Sequence, residues 1–162
     1  MRLIIMKIFK RLNSYKKYMI YKLIFGKNLK VGKKTFFYPS CRIHLGPQGR
    51  INIGKNCFFN YNCSLNSAGT INIGDDCIFG ENVCMYDHDH NFRDSETLIR
   101  KQGYKIKKIN IGKNCWIGSN CTILSGVNIG NNVVIGAGTI IKQDIPDNSI
   151  VVSDNKLRFL NK

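Results

Sequence analysis

A six-residue period governs most of the chain. The tetrapeptide Ile-Asn-Ile-Gly recurs at Ile51–Gly54, Ile71–Gly74 and Ile109–Gly112, and Val127–Gly130 is a near copy. A fixed internal period constrains a fold more than composition does, because each unit must stack on the next. With the second aliphatic as position one, the frame runs Ile53, Phe59, Leu65 and restarts at Ile73, Phe79, Met85. It restarts again at Ile111 and continues through Ile117, Ile123, Ile129, Ile135 and Ile141 without a break. A weaker stretch is Val31, Phe37, Ile43.

Position two is mostly Gly (Gly54, Gly74, Gly80, Gly112, Gly118, Gly130, Gly136), which suits a sharp corner. Position five is small: Thr35, Cys41, Cys57, Cys63, Cys77, Val83, Cys115, Cys121, Val127, Val133 and Thr139. An aliphatic at one and a small residue at five fit a triangular coil with short strands as its sides. The predicted fold is all-β, a left-handed parallel β-helix of hexapeptide repeats. The step from Ile111 to Ile129 is then one full coil. Neither the alternation of a β-sandwich nor the 3.6 spacing of an amphipathic helix accommodates such a period.

The same frame assigns the cysteines. Six of the seven fall on position five, and no Cys-x-x-Cys pair occurs. They read as small buried packing residues in a reduced setting rather than disulfides or zinc ligands.

Charge is unevenly placed. The net charge is +15, fourteen Lys and Arg precede Asp75, and no Asp or Glu does. Such an imbalance reads as a surface that meets something anionic. Nucleic acid is a poor fit, because the cations do not interleave with aromatics along a face. The apolar N-terminal stretches are broken by Lys and Arg, so neither a membrane span nor a signal peptide is expected. The expected location is the cytoplasm, with peripheral contact at the inner membrane face as a refinement. The predicted organisation is a basic amphipathic helix over 1–30, a β-helix over 31–146 and a C-terminal tail over 147–162. The helix reads as a cap on the open end of the coils or as an attachment to anionic lipid, and both can hold.

The frame breaks at Gly46–Arg50 and Asn66–Thr70, two short corner insertions, and over 86–108, one long protruding loop. Long loops on a solenoid are usually functional. This one opens Asp87-His88-Asp89-His90-Asn91-Phe92 and holds two of the three histidines. Neutral imidazole can accept a proton from a hydroxyl near neutral pH. His90 is the expected base, His88 its rival, and Asp87 and Asp89 are near enough to orient a ring. His44 reads as structural. A metal site is not expected: no histidine follows His90 in the uninterrupted coils. Gly-x-Ser-x-Gly and Walker motifs are also missing.

Several segments resemble the hexapeptide-repeat acyltransferases, the family that includes maltose, galactoside, xenobiotic and capsule or exopolysaccharide O-acetyltransferases. They are Asn56–Asn62, Asn82–His90, Cys115–Asn120, and Ile135–Thr139 followed by Lys142 and Asp144-Ile145-Pro146. The resemblance covers roughly Val31 to Pro146. It implies an acetyl-CoA-dependent transfer of an acetyl group to a sugar hydroxyl, in polysaccharide biosynthesis, with His90 as general base. It further implies acceptor contacts from Asn60, Asn62, Asp87 and Asp89, and an oxyanion donor at the Ser119 backbone N–H. Trp116, Gly118, Ser119, Gly136, Ala137 and Gly138 would border the pantetheine arm. Lys142 and Arg158 would meet phosphates. A homotrimer with sites between neighbouring β-helices is the implied assembly. N-acetylation of an amino sugar and a non-catalytic trimeric scaffold are the alternatives.

Overall fold

The computed structural model describes residues 2–153, with side chains from residue 12 onward. The coils form a left-handed parallel β-helix with three faces. Face one stacks Leu29–Val31, Arg50–Ile53, Thr70–Ile73, Ile109–Ile111 and Asn128–Ile129. Face two stacks Phe36–Phe37, Phe58–Phe59, Ile78–Phe79, Trp116–Ile117, Val134–Ile135 and Ile150–Val151. Face three stacks Arg42–Leu45, Ser64–Ser67, Cys84–Tyr86, Thr122–Ile123 and Ile140–Ile141. The strands therefore run from Leu29 to Val151, a little beyond the expected 31–146. Ile150 pairs with Val134, which draws part of the expected tail into the last coil.

Register is set by the repeat. Ile53 pairs with Ile73, Ile73 with Ile111, and Ile111 with Ile129, so position-one residues form a vertical buried column. Burying each such side chain contributes about 1.5–3 kcal/mol relative to exposure. The six position-five cysteines are all buried, and Cys84, off that position, is half-buried. Their thiols donate to carbonyls of the next coil, as Cys57 does to Gly74 at 3.1 Å and Cys115 to Gly130 at 3.1 Å. Burial also pushes the Cys121 thiol up, which keeps it protonated.

The corners carry a second rule that the hexad frame did not expose. Asn56, Asn62, Asn82, Asn114, Asn120 and Asn132 all stand at φ between 53° and 60°. Asn is among the few residues that tolerate this left-handed region. Their amides also link coil to coil: Asn82 Nδ2 donates to Asn120 Oδ1 and Asn114 Nδ2 to Asn132 Oδ1, each at 2.9 Å. On face one, Asn52, Asn72, Asn110 and Asn128 form a further amide ladder at 2.6–2.9 Å.

The insertions at Gly46–Arg50 and Asn66–Thr70 lengthen strands as well as turning corners. Arg42–Leu45 and Ser64–Ser67 pair over four residues, and Gly46 N–H donates to Ser67 O at 2.8 Å. The N-terminal helix α1 spans Arg2–Phe25 and lies across the first coil. Tyr18, Tyr21 and Phe25 pack on the core. Lys17 Nζ donates to the carbonyls of Pro39 and Cys41, both at 2.6 Å. The helix therefore caps the open end of the coils.

Candidate active site

The loop after face three is rooted in a β-hairpin. His88–His90 pairs antiparallel with Tyr104–Ile106, placing His88 opposite Ile106 and His90 opposite Tyr104. Beyond the hairpin, Gln102 orders the loop by donating to the carbonyls of Asp94 and Thr97 at 2.8 and 2.7 Å.

Asp87, at the root, is fully buried. One carboxyl oxygen accepts from Ser67 Oγ at 2.6 Å and Gly69 N–H at 2.9 Å. The other accepts from Ala68 N–H at 2.8 Å and lies 3.0 Å from His88 Nδ1. A buried polar group is costly unless its bonds are satisfied, and here both oxygens are satisfied by the preceding coil's corner. Gly69 permits the approach: a Cβ there would sit 2.4 Å from Ile106 Cγ2 of the hairpin.

This arrangement orders the two histidines differently. The carboxylate acceptor beside His88 Nδ1 selects, for the neutral ring, the tautomer with its proton on Nδ1 and the lone pair on Nε2. The His88 side chain is 22% exposed. The His90 side chain is exposed and makes no hydrogen bond to a described residue; its ring lies 4.5 Å from that of Tyr104. Tyr104 also meets His88 edge-on at 5.2 Å. Geometry thus equips His88, rather than the expected His90, with an orienting partner.

The remaining expected residues fall elsewhere. Asp87 is walled off from any acceptor by burial, so its place is behind the imidazole. Asp89 accepts from Ser125 Oγ of the following coil, which ties the loop down. Asn60 and Asn62 sit at the corner between faces two and three, away from the histidine loop in the same protomer. The Asn60 side chain accepts from Tyr61 N–H at 2.9 Å, and Asn62 is one of the left-handed corner residues. Both have structural duties.

Trp116, Gly118, Ser119, Gly136, Ala137 and Gly138 do converge. Trp116 projects from face two, 56% exposed, between Ile78 and Val134. Ser119 follows at the corner, where its Oγ accepts from Glu81 N–H at 3.1 Å and its carbonyl from Gly138 N–H at 2.8 Å. Ala137 and Gly138 are exposed, and nothing lies within 4 Å of a Cβ placed on Gly138. That corner presents bare backbone to an approaching chain. Lys142 is exposed but stands at the far end of face three, and Arg158 lies outside the described residues. The histidine corner and the Trp116–Gly138 corner are at opposite ends of face three. Among the described residues, no group of three or more His, Cys, Asp or Glu side chains could hold a metal ion. Ser67, Ala68, Gly69, Tyr104 and Ser125 were not foreseen; the corner insertion at 66–70 was the available signal.

A solenoid of this hand, period and corner chemistry defines a class, and comparison with known proteins places the chain within it. Residues 108–143 match the model described as hexapeptide repeat of succinyl-transferase. A Schizosaccharomyces pombe protein bearing the name acetyltransferase is 38% identical over 105 residues, 63% of this chain and 48% of that protein. The chain thus spans about half the length of that curated relative. The crystal structure of a maltose O-acetyltransferase from Clostridium difficile 630 is 31% identical, with a TM-score of 0.70, over 92% of this chain and 80% of that chain. A hexapeptide-repeat acetyltransferase from Vibrio cholerae O1 biovar eltor, solved with acetyl coenzyme A, is 27% identical, with a TM-score of 0.69, over 87% of this chain and 73% of that chain. The chain belongs to the hexapeptide-repeat acetyltransferase family.

Proposed function

We propose that the protein is an acetyl-CoA-dependent O-acetyltransferase acting on a sugar hydroxyl, with His88 as general base. The observation that carries this reading is the His88 ring, held by the buried Asp87 carboxyl at the root of the exposed loop. His88 Nε2 takes the acceptor's proton as its oxygen attacks the thioester carbonyl. The new C–O bond forms, the C–S bond breaks, and the imidazolium returns its proton to the departing thiolate. A positioned base contributes about 10²–10⁴-fold. No covalent acyl-enzyme is required by this route.

The coenzyme would run along the corner built by Trp116, Ser119 and Gly136–Gly138, where small residues leave the backbone open. A Ser119 N–H donor at the oxyanion would add about 10²–10³-fold. Since this corner and His88 stand at opposite ends of face three, a complete site needs His88 of one copy beside the coenzyme corner of the next. A homotrimer supplies that seam three times over.

The test is thiol release from acetyl-CoA with a panel of hydroxyl-bearing saccharides. Wild type should release coenzyme A only with an acceptor present. His88→Ala should lower kcat by about 10²–10⁴-fold with an unchanged melting temperature, and His90→Ala by less than about tenfold. Activity surviving His88→Ala but lost in His90→Ala would return the base to His90. An absence of acceptor-dependent release from every hydroxyl would overturn the O-acetyl reading.

A further inference from the structure

The N-terminal helix is only half used by the fold. Its docked side carries Ser14, Lys17, Tyr18, Tyr21 and Phe25, which face the first coil. Its opposite side leaves Met19, Ile20, Leu23 and Ile24 in solvent, Leu23 at 87% exposure, while Leu12 and Tyr15, also exposed, border a groove against Val31 and Phe36 of the first coil. These four follow helical spacing and form one stripe, with the exposed Lys16 one turn before it. A monomeric soluble surface rarely keeps so many large apolar side chains together without a use for them.

The chemistry around the stripe says what covers it. Lys16, Lys27, Lys30, Lys33 and Lys34 are exposed on the helix and the first coil. No acidic residue occurs anywhere before Asp75. A second copy docked stripe to stripe would bring two such cationic ends together, which is repulsive. A nucleic acid would satisfy the lysines but leave the apolar stripe wet. An anionic bilayer satisfies both, since acyl chains take the stripe and headgroups take the lysines. Among the described residues no helix is long and apolar enough to cross a membrane. The required mode is therefore one that lies in the interface plane.

We infer that the outer face of α1, with the lysines of the first coil, docks the protein on an anionic lipid surface, solenoid axis steep to the membrane. Because α1 caps one end of the coils, the hairpin loop and the Trp116 corner stand off from the bilayer on the solenoid's sides. In the trimer proposed above, three parallel β-helices would present three such helices to the same plane. Membrane avidity would then exceed the affinity of one helix.

The full chain, mixed with sucrose-loaded vesicles and sedimented, tests this directly. It should co-sediment with phosphatidylcholine vesicles containing about one third phosphatidylglycerol, and at least about tenfold more weakly with phosphatidylcholine alone. Raising salt should release it, because exposed charges are screened. Met19→Gln/Leu23→Gln, at exposed positions, should lose vesicle binding while keeping its melting temperature, assembly and acetyl transfer. Lys27→Glu/Lys33→Glu should do the same through charge and stands in if the first variant misfolds. Failure to bind phosphatidylglycerol vesicles, or equal binding to both compositions, overturns the inference. So does a drop in solution mass in the Gln variant, which would mark the stripe as a protein interface. Acetyl transfer is measured separately, so loss of that reading leaves the membrane result intact.

Discussion

The coils from Ile109 to Val151 and the loop from His88 to Lys108 are neighbours built on opposite principles. In the coils, each position-one isoleucine through Ile141 is buried. Corner amides donate to the adjacent coil, as Gly112 does to Ile129 O at 2.8 Å. In the loop, Phe92, Leu98, Ile99, Tyr104 and Ile106 are all largely exposed, and the hydrogen bonds of its tip close within the loop, several of them on Gln102. The coils hold shape through repetition; the loop can vary because little of the fold depends on it. Asp87 is where the two meet, with its carboxyl anchored in a coil corner and its imidazole partner in the loop.

The largest expected contrast comes from truncating one apolar side chain in each region. Ile117→Ala opens a void in a column that cannot close without shearing adjacent coils, and should cost about 2–5 kcal/mol. Phe92→Ala, in the loop, should stay within about 0.5 kcal/mol. Chemical denaturation of both variants reads this out. Equal losses would mean that the loop shares the core's cooperativity.

Next in size is the joint itself. Asp87→Ala strands the N–H groups of Ala68 and Gly69, while the Ser67 hydroxyl keeps the Arg50 carbonyl as acceptor at 3.1 Å, a loss of about 3 kcal/mol. It also frees the His88 ring, so kcat should fall further than global unfolding explains. Asp87→Asn keeps one acceptor oxygen but places an amide against donors. Stability should therefore drop in both variants. A variant that loses stability but keeps kcat would reduce Asp87 to a corner brace.

The two regions also differ in how well the sequence foretells them. Ile111 to Ile141 was legible residue by residue, because burial in a stacked coil repeats the same demand at each turn. The cysteines followed from the same frame. The left-handed conformation of Asn62 and Asn120 was not legible: backbone angles leave no mark in a hydrophobic pattern. The hairpin was hidden because its strands, His88–His90 and Tyr104–Ile106, are short, polar and separated by a long loop. The choice between His88 and His90 was equally hidden. The two lie one strand repeat apart on the same face, and only the third dimension shows which one abuts Asp87. Burial of a carboxyl beside Ser67 and Gly69 depends on a corner from another coil, which spacing along the chain cannot supply.

Glycines sharpen the comparison at smaller scale. A Cβ on Gly112 would lie 2.5 Å from the Gly130 carbonyl oxygen, a backbone atom with nowhere to move. Gly112→Ala should cost about 1–3 kcal/mol by prying coils apart. Gly103, in the loop at φ +75°, has nothing within 4 Å of a Cβ. Gly103→Ala pays only the left-handed strain, about 1 kcal/mol. Thermal melts separate the two, and a reversed order would contradict the stacking geometry.

The smallest effect should appear at the end of the solenoid, where the last coil is stacked on one side by another coil. Asp144 and Asp147 close the last turn. Backbone N–H donation from Asn128 and Asn131 respectively, aided by their side-chain amides, holds each carboxyl below the ordinary aspartate value of 3.8. A lowered folded-state value means that the ionised form is favoured by folding. Its contribution is complete above the ordinary value and disappears as pH falls through the lowered one. Both groups are solvent-exposed, so the loss is local rather than global. Hydrogen exchange should show protection at the Asn128 and Asn131 amides declining on acidification before that at Gly112, whose partner is the Ile129 carbonyl within the stack. In Asp144→Asn/Asp147→Asn that pH dependence should vanish. If instead all three amides lose protection together, the terminal turn belongs to the same cooperative unit as the interior coils.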